Sequence, residues 1–272
     1  MRSLLFPLRA PQWMKVTAAL GLVSLFSFTA LSWRWPWLPG RPGGMFFGIL
    51  AGLLFINAGL YPWRRRLQAR PLGTVQRWLH LHVYGSALGL GFVFLHIGFT
   101  LPSGVIGWLL LLLSIWTVGG GLAGVWLQRI GPLILARRVA VEPIYERIPE
   151  MTQRLAAEAD LVAARAPEAL RKAYAARIRP RLIEPKASLG SILGASPIEG
   201  EMLRTLSEVR ALLAEGDRSK LGELEVIIRD KVALDTHFSV QRVLRSWLIL
   251  HVPPAMLLLG FLAVHVIAVV LH

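Results

Sequence analysis

The chain contains no cysteine among its 272 residues. This absence excludes disulfide bonds, thiolate-ligated iron–sulfur clusters, thiol chemistry and the covalent attachment used by c-type haems. Any haem that such a chain binds must therefore be held by histidine, of which there are seven.

Acidic residues are missing from the first 128 positions, which carry ten Lys and Arg and no Asp or Glu. The remaining bases and all sixteen acids lie in residues 129–272, where the net charge is only +4. The whole chain is 54% hydrophobic, which is typical of a membrane protein. A net charge of +14 can also indicate nucleic-acid binding. Here the arginines cluster at the ends of apolar runs, so we expect membrane lipid as a partner and no nucleic acid.

Charged residues are also missing from the interior of five long apolar runs, each long enough to cross a bilayer. This pattern disfavours a relay of membrane-embedded acids and bases. It predicts an all-α integral membrane fold with five transmembrane helices. The predicted spans are 16–33, 44–62, 78–101, 105–128 and 247–271.

The loop between the second and third spans contains five arginines and no acid, which predicts that it is cytoplasmic. The N-terminus is then cytoplasmic and the C-terminus external, in the inner (plasma) membrane. Residues 1–128 are predicted to hold helices one to four, 129–246 a helical cytoplasmic insertion, and 247–272 helix five.

Within the insertion, residues 148–178 and 199–231 show amphipathic helical periodicity, and a Pro- and Gly-containing loop is expected between them. No Gly-rich phosphate loop or dinucleotide motif is present. A helical hairpin lying on the membrane face is one interpretation, and a docking platform for a soluble redox partner is the other. His237, in a polar stretch before the fifth span, is expected at the surface.

The functional interpretation depends on two pairs of histidines in the predicted spans. His82 and His96 lie in the third span, and His251 and His265 in the fifth. Each pair is fourteen residues apart, a helical rise of about 21 Å and nearly four turns, so both histidines share one face. Because these spans are predicted to run parallel, His82 meets His251 and His96 meets His265. Each level then offers two axial ligands, which predicts two haem b groups.

Other interpretations of these histidines remain open. A purely structural role is the first, although ionisable groups inside a membrane are costly and usually functional. A non-haem metal site is the second, but it would need three or four ligands at one depth. Bis-histidine ligation fills both axial positions of a haem, which indicates electron transfer rather than binding of a small gas.

Further residues are predicted to contact the two haems. Gly85 and Gly89 follow His82 on or beside its face and could make room for a porphyrin, or could equally serve ordinary helix packing. Arg77 and Arg245 lie at the cytoplasmic ends of the two ligand helices, where they could bind haem propionates or simply anchor the helices.

Two prolines, Pro253 and Pro254, closely follow His251. Prolines inside a helix remove hydrogen bonds and kink it. A kink here would change the phase between His251 and His265, and it could re-aim His251 or leave the cytoplasmic-side site imperfect.

Both ligand helices begin with a Trp-Leu-x-Leu-His motif. Their layout resembles the transmembrane domain of the ferric reductase and NADPH oxidase family, and also cytochrome b of bc-type complexes. The resemblance covers the topology of residues 1–128 and 247–272, and it implies two haems. The matching residues are Trp78, His82 and His96 in one helix, and Trp247, His251 and His265 in the other.

The sequence therefore predicts a di-haem b-type cytochrome subunit that carries electrons across the membrane within a larger oxidoreductase complex. Iron–sulfur, flavin or c-type cytochrome subunits are the expected redox partners. One alternative is a subunit that oxidises quinol or reduces quinone at its own quinone site. Another is a haem-free membrane anchor for a cytoplasmic partner.

Overall fold

The computed structural model describes residues 11–66, 73–135, 145–192, 197–211, 213 and 215–271. All regular structure in these residues is helical, as the sequence predicts. Five helices are long and apolar enough to cross a membrane, so the chain is a multi-pass membrane protein. These helices are α1 (Pro11–Ser32), α2 (Pro42–Arg66), α3 (Val75–His96), α4 (Val105–Leu135) and α10 (Arg218–Leu271).

The fifth long helix starts earlier than the sequence predicts. The apolar run begins at Trp247, but α10 continues without interruption from Arg218 and has 54 residues. At 1.5 Å per residue its length is about 80 Å, which is more than twice the thickness of a hydrocarbon core. Only its C-terminal part is therefore a membrane span.

The chain divides into two compact units. The span unit comprises Met1–Trp126 and Trp247–His272, and the insertion unit comprises Leu127–Ser246. The stretch 179–198, expected to be a loop, contains two short helices, Arg179–Leu182 and Leu189–Ile192. The helices between α4 and α10 are α5 (Ile148–Ala164), α6 (Glu168–Ala173), α7 (Arg179–Leu182), α8 (Leu189–Ile192) and α9 (Pro197–Arg210).

In the span unit, α2 and α3 make the most extensive close packing among the described residues. Gly85 and Gly89 of α3 are both buried, and a Cβ at Gly89 would lie 3.3 Å from Leu54 Cβ on α2. Small residues allow two backbones to approach in this way. The hydroxyl oxygen of Thr74 accepts a hydrogen bond from the Arg77 backbone N–H, which caps the start of α3.

The insertion unit has its own apolar core, formed by α5, α6, α9 and the first part of α10. Its most deeply buried side chains include Leu170, Leu206 and Ile228, each with no exposed surface. The expectation that His237 lies at the surface is wrong, because its side chain is only 2% exposed. The polar sequence around it indicated exposure, but His237 is a buried residue of α10.

A π-helical turn, Tyr174–Ile178, joins α6 to α7 and bears a polar cluster. The Tyr174 hydroxyl donates to Asp160 Oδ1 at 2.6 Å, and Arg179 donates to both Asp160 oxygens at 2.9 and 3.1 Å. The Arg179 guanidinium, more than the Tyr174 hydrogen bond, holds the pKa of the Asp160 carboxyl below its usual range. Burial and the Asp160 charge raise the pKa of Tyr174.

A buried ion pair lies within the α10 part of the insertion unit. Lys231 Nζ donates to both carboxylate oxygens of Asp235 at 2.7 Å, and their side chains are 0% and 7% exposed. Asp235 Oδ1 also accepts the backbone N–H of Lys186 at 2.9 Å. One turn further along α10, Ser239 Oγ accepts the backbone N–H of Ser188 at 3.0 Å. The segment before α8 is thereby bound to α10 through its backbone.

Candidate functional site

The four histidines form two pairs inside the span unit. The ring centroids of His82 and His251 are 6.5 Å apart with their planes at 78°. The centroids of His96 and His265 are also 6.5 Å apart, with the same angle of 78°. The structure thus places beside each other the residues that the sequence pairs, and α3 and the spanning part of α10 run parallel. Their role as ligands stays a prediction.

The separation of the rings can be compared with that of two axial ligands. Imidazole nitrogen binds zinc at about 2.0–2.1 Å, and iron–imidazole bonds are of similar length. Two such bonds in line, with each ring centroid about 1.2 Å beyond its nitrogen, separate the centroids by about 6.4 Å. The donor set and spacing of each pair therefore fit a bis-histidine haem.

Edge-to-face aromatic pairs also occur with centroids about 4.5–7 Å apart, so the spacing of one pair alone does not discriminate. The stronger observation is that two pairs fourteen residues apart share one distance and one angle. Within the described part of the chain, no group of three or more His, Asp or Glu could hold a metal ion. Two-ligand sites are what this arrangement offers.

Helix α2 orients His82. Its Nδ1 is 2.9 Å from the carbonyl oxygen of Ala58. A carbonyl oxygen only accepts, so Nδ1 carries the proton and Nε2 keeps the lone pair that a metal needs. The Ala58 carbonyl has no helical donor four residues on, because that residue is Pro62, inside α2.

The same helix orients His96 in a different way. His96 Nδ1 lies 2.8 Å from the carbonyl oxygen of Gly44, so it too carries the proton. A Cβ at Gly48 would be only 2.7 Å from this nitrogen, and only a glycine leaves room for the ring. The Trp37 indole N–H donates to the carbonyl of Leu95, next to His96, at 2.7 Å.

His251 is positioned by α4 and by its own helix. Its ring stacks on Trp247, with centroids 5.4 Å apart and planes at 16°. The Trp247 indole N–H donates to the Gly120 carbonyl at 2.7 Å. A Cβ at Gly124 would be 2.0 Å from the Trp247 ring, and one at Gly121 would be 3.4 Å from His251. The glycines of α4 therefore let the tryptophan and histidine rings approach its backbone.

The prolines that follow His251 do not make the ring separation of its pair differ from that of the other pair. Helix α10 continues through Pro253 and Pro254, and the 82/251 pair has the same ring separation as the 96/265 pair. Pro254 leaves the Leu250 carbonyl without its donor at i+4, and the Trp116 indole N–H donates to it at 3.0 Å. A neighbouring helix thus satisfies the backbone group that the proline frees, as membrane proteins require.

The other predicted site residues are two glycines and two arginines outside the histidine pairs. Gly85 and Gly89 face α2, where they allow close packing of the two helices. Arg77 is exposed in the first turn of α3. Arg245 belongs to the insertion unit, where it pairs with Glu146 and lies over the Tyr145 ring, 4.2 Å from its centroid.

The orienting contacts made by α2 and by Trp247 were not predicted from the sequence. One signal for α2 was present, because a proline inside an apolar helix always frees the carbonyl four residues before it. Another was the Gly44, Gly48, Gly52 spacing, which permits close approach on one helix face. Which histidine uses these backbone groups depends on three-dimensional packing.

Comparison with known proteins adds no relative. No family model, curated protein or solved structure matches this chain.

Proposed function

We propose that this chain is a di-haem b-type cytochrome subunit that carries electrons across the membrane. His82 and His251 would hold one haem b, and His96 and His265 the other. The observation that carries the proposal is the repeat of one ring separation and angle in both pairs, on parallel apolar helices.

A haem held in this way supplies reversible one-electron transfer. Because two histidines would hold each haem, the group would supply electron transfer rather than activation of oxygen or another small ligand. The chain's own residues orient the ligands: the carbonyls of Ala58 and Gly44 fix the protonated Nδ1 of His82 and His96. The apolar spans around them exclude water and favour electron transfer over proton transfer.

The two pairs also have the right separation to serve opposite sides of the bilayer. Fourteen helical residues correspond to about 21 Å along the axis, compared with a hydrocarbon core of about 30 Å. Each site would then lie within reach of one membrane surface. We infer that redox partner subunits of the iron–sulfur, flavin or c-type class exchange electrons with the chain at one side, and a second protein or quinone at the other.

The test is electron transfer through the purified protein in sealed liposomes, with a trapped oxidant and an external impermeant reductant. Wild type is expected to reduce the trapped oxidant, whereas His82→Ala and His96→Ala each interrupt the path and reduce the rate to that of empty liposomes. His80→Gln is the matched control, because this histidine lies in α3 but belongs to neither pair.

Three results would redirect the proposal. A folded, haem-free wild type would favour a membrane anchor. Two haems without electron transfer would refute the transmembrane path. Haem reduction by quinol that a quinone-site inhibitor blocks would favour the quinone-reactive subunit.

The distribution of arginines favours an N-terminus and an insertion on the cytoplasmic side of the inner (plasma) membrane. Because the chain has no cysteine, single cysteines report topology without background. In intact spheroplasts, Ser103→Cys between α3 and α4 is expected to react with an impermeant maleimide, and Ser207→Cys in α9 only after lysis. The opposite pattern would reverse the orientation.

A further inference from the structure

We propose that Pro62 is a positioning residue for the 82/251 pair. By lacking an N–H, it reserves the Ala58 carbonyl for His82 Nδ1 and so fixes the tautomer that presents Nε2 to a metal. The effect on the tautomer follows from the contacts of the protein alone. Its consequence for a haem rests on the proposed function.

The first step is the backbone of α2. In a helix, each carbonyl accepts the N–H four residues later, but a proline at that position offers none. Helix α2 nevertheless continues through Pro62 to Arg66, so the carbonyl of Ala58 is left for another donor. In an apolar environment an unsatisfied carbonyl is costly, and neighbouring helices commonly supply the missing donor. Here that donor is His82, with Nδ1 2.9 Å from the oxygen.

The second step is a comparison within the span unit. Pro254 and Leu250 of α10 repeat the relation between Pro62 and Ala58, and the freed Leu250 carbonyl accepts the Trp116 indole N–H at 3.0 Å. The 96/265 pair is different, since the carbonyl that His96 uses belongs to Gly44, four residues before Gly48, a residue that has an N–H. A proline therefore frees the carbonyl that orients a histidine in only one of the two pairs.

The third step is the consequence for the ligand. A hydrogen bond from Nδ1–H to a carbonyl fixes the ring orientation and makes Nε2 a stronger electron donor to a metal. The second histidine of this pair, His251, lacks such a hydrogen bond. Its Nδ1 is buried and has no hydrogen-bond partner among the described residues. His82 is thus the better electron donor of its pair, and that property depends on Pro62.

The test is Pro62→Ala, which restores an N–H that competes for the Ala58 carbonyl. In the purified haem-free protein with 15N-labelled histidine, the ratio of Nδ1–H to Nε2–H tautomer of His82 is expected to fall about fivefold, corresponding to the loss of one ordinary hydrogen bond. The His82 signals are identified by their disappearance in His82→Gln. Pro42→Ala is the control, because Pro42 is the first residue of α2, where no helical N–H is needed.

In the haem-loaded protein the weaker donor should destabilise the oxidised iron. A fivefold effect corresponds to a rise of about 40 mV in the midpoint potential of one haem, at 59 mV per tenfold change for one electron. The 96/265 haem should keep its potential. An unchanged His82 tautomer in Pro62→Ala would overturn the inference, as would equal shifts of both potentials. A wild type without haem would refute the proposed function, while the tautomer measurement would still decide this inference.

Discussion

Replacing Gly124 by alanine tests how α4 supports the 82/251 pair. The added Cβ would lie 2.0 Å from Trp247 Cζ2 and 2.2 Å from its Cε2, whereas carbon atoms in contact are about 3.5–4.0 Å apart. The indole must therefore move by about 1.5 Å. This movement breaks its hydrogen bond to Gly120 and its stacking on His251.

The magnitude follows from two contributions. Overpacking of a tight contact costs about 1–3 kcal/mol, and the lost hydrogen bond about 1 kcal/mol, so Gly124→Ala is expected to reduce the free energy of unfolding by about 2–4 kcal/mol. Because the disturbed rings adjoin only one histidine pair, we also expect loss of about one of the two proposed haems. Thermal unfolding in detergent measures the first effect and pyridine-haemochrome quantitation the second.

The matched control is Gly119→Ala in the same helix, where an added Cβ has no atom within 4 Å among the described residues. This variant should keep both haems and unfold at the wild-type temperature or slightly above, since alanine favours a helix. If Gly124→Ala and Gly119→Ala behave alike in both assays, the proposed support of His251 by Trp247 is refuted.

Three further predictions concern other parts of the chain. Gly48→Ala should displace the His96 ring, because the Nδ1 atom of His96 would lie 2.7 Å from the new Cβ. Low-temperature difference spectroscopy should then show a shifted spectrum for the haem proposed between His96 and His265. Lys231→Met should lower the free energy of unfolding by about 3–5 kcal/mol, because it leaves the Asp235 charge buried and unpaired. Denaturant titration measures this change, and an unchanged midpoint would contradict the prediction. The Asp160 carboxylate has a lowered pKa in the folded protein, so its charged form stabilises the fold above about pH 4. This stabilisation is lost as the pH falls through the lowered pKa. The thermal unfolding temperature of Asp160→Asn should therefore depend less on pH in this range than that of wild type.

The five spans could be predicted from the sequence because each is a long apolar run bounded by arginine, tryptophan or proline. The pairing of His82 with His251 could also be predicted, since equal spacing on two parallel helices leaves one arrangement. The ring orientations could not, because they depend on backbone carbonyls of α2, and a carbonyl is present at every residue.

The burial of the polar residues before the last span was harder to predict. Polar residues such as Asp235 and His237 indicated an exposed stretch before the last span, whereas both are buried in one continuous helix. Buried Asp235 is paired with Lys231 and accepts the backbone N–H of Lys186, which is 49 residues away. Such long-range pairing leaves no periodic signal in the sequence.

The measurement that tests the central claim most directly is the reduced-minus-oxidised spectrum of the purified protein, with pyridine-haemochrome quantitation, for wild type and His96→Ala. Bis-histidine ligation at both pairs predicts about two b haems per chain in wild type and about one in the variant, with a changed α-band. A folded wild type that binds no haem would contradict the account.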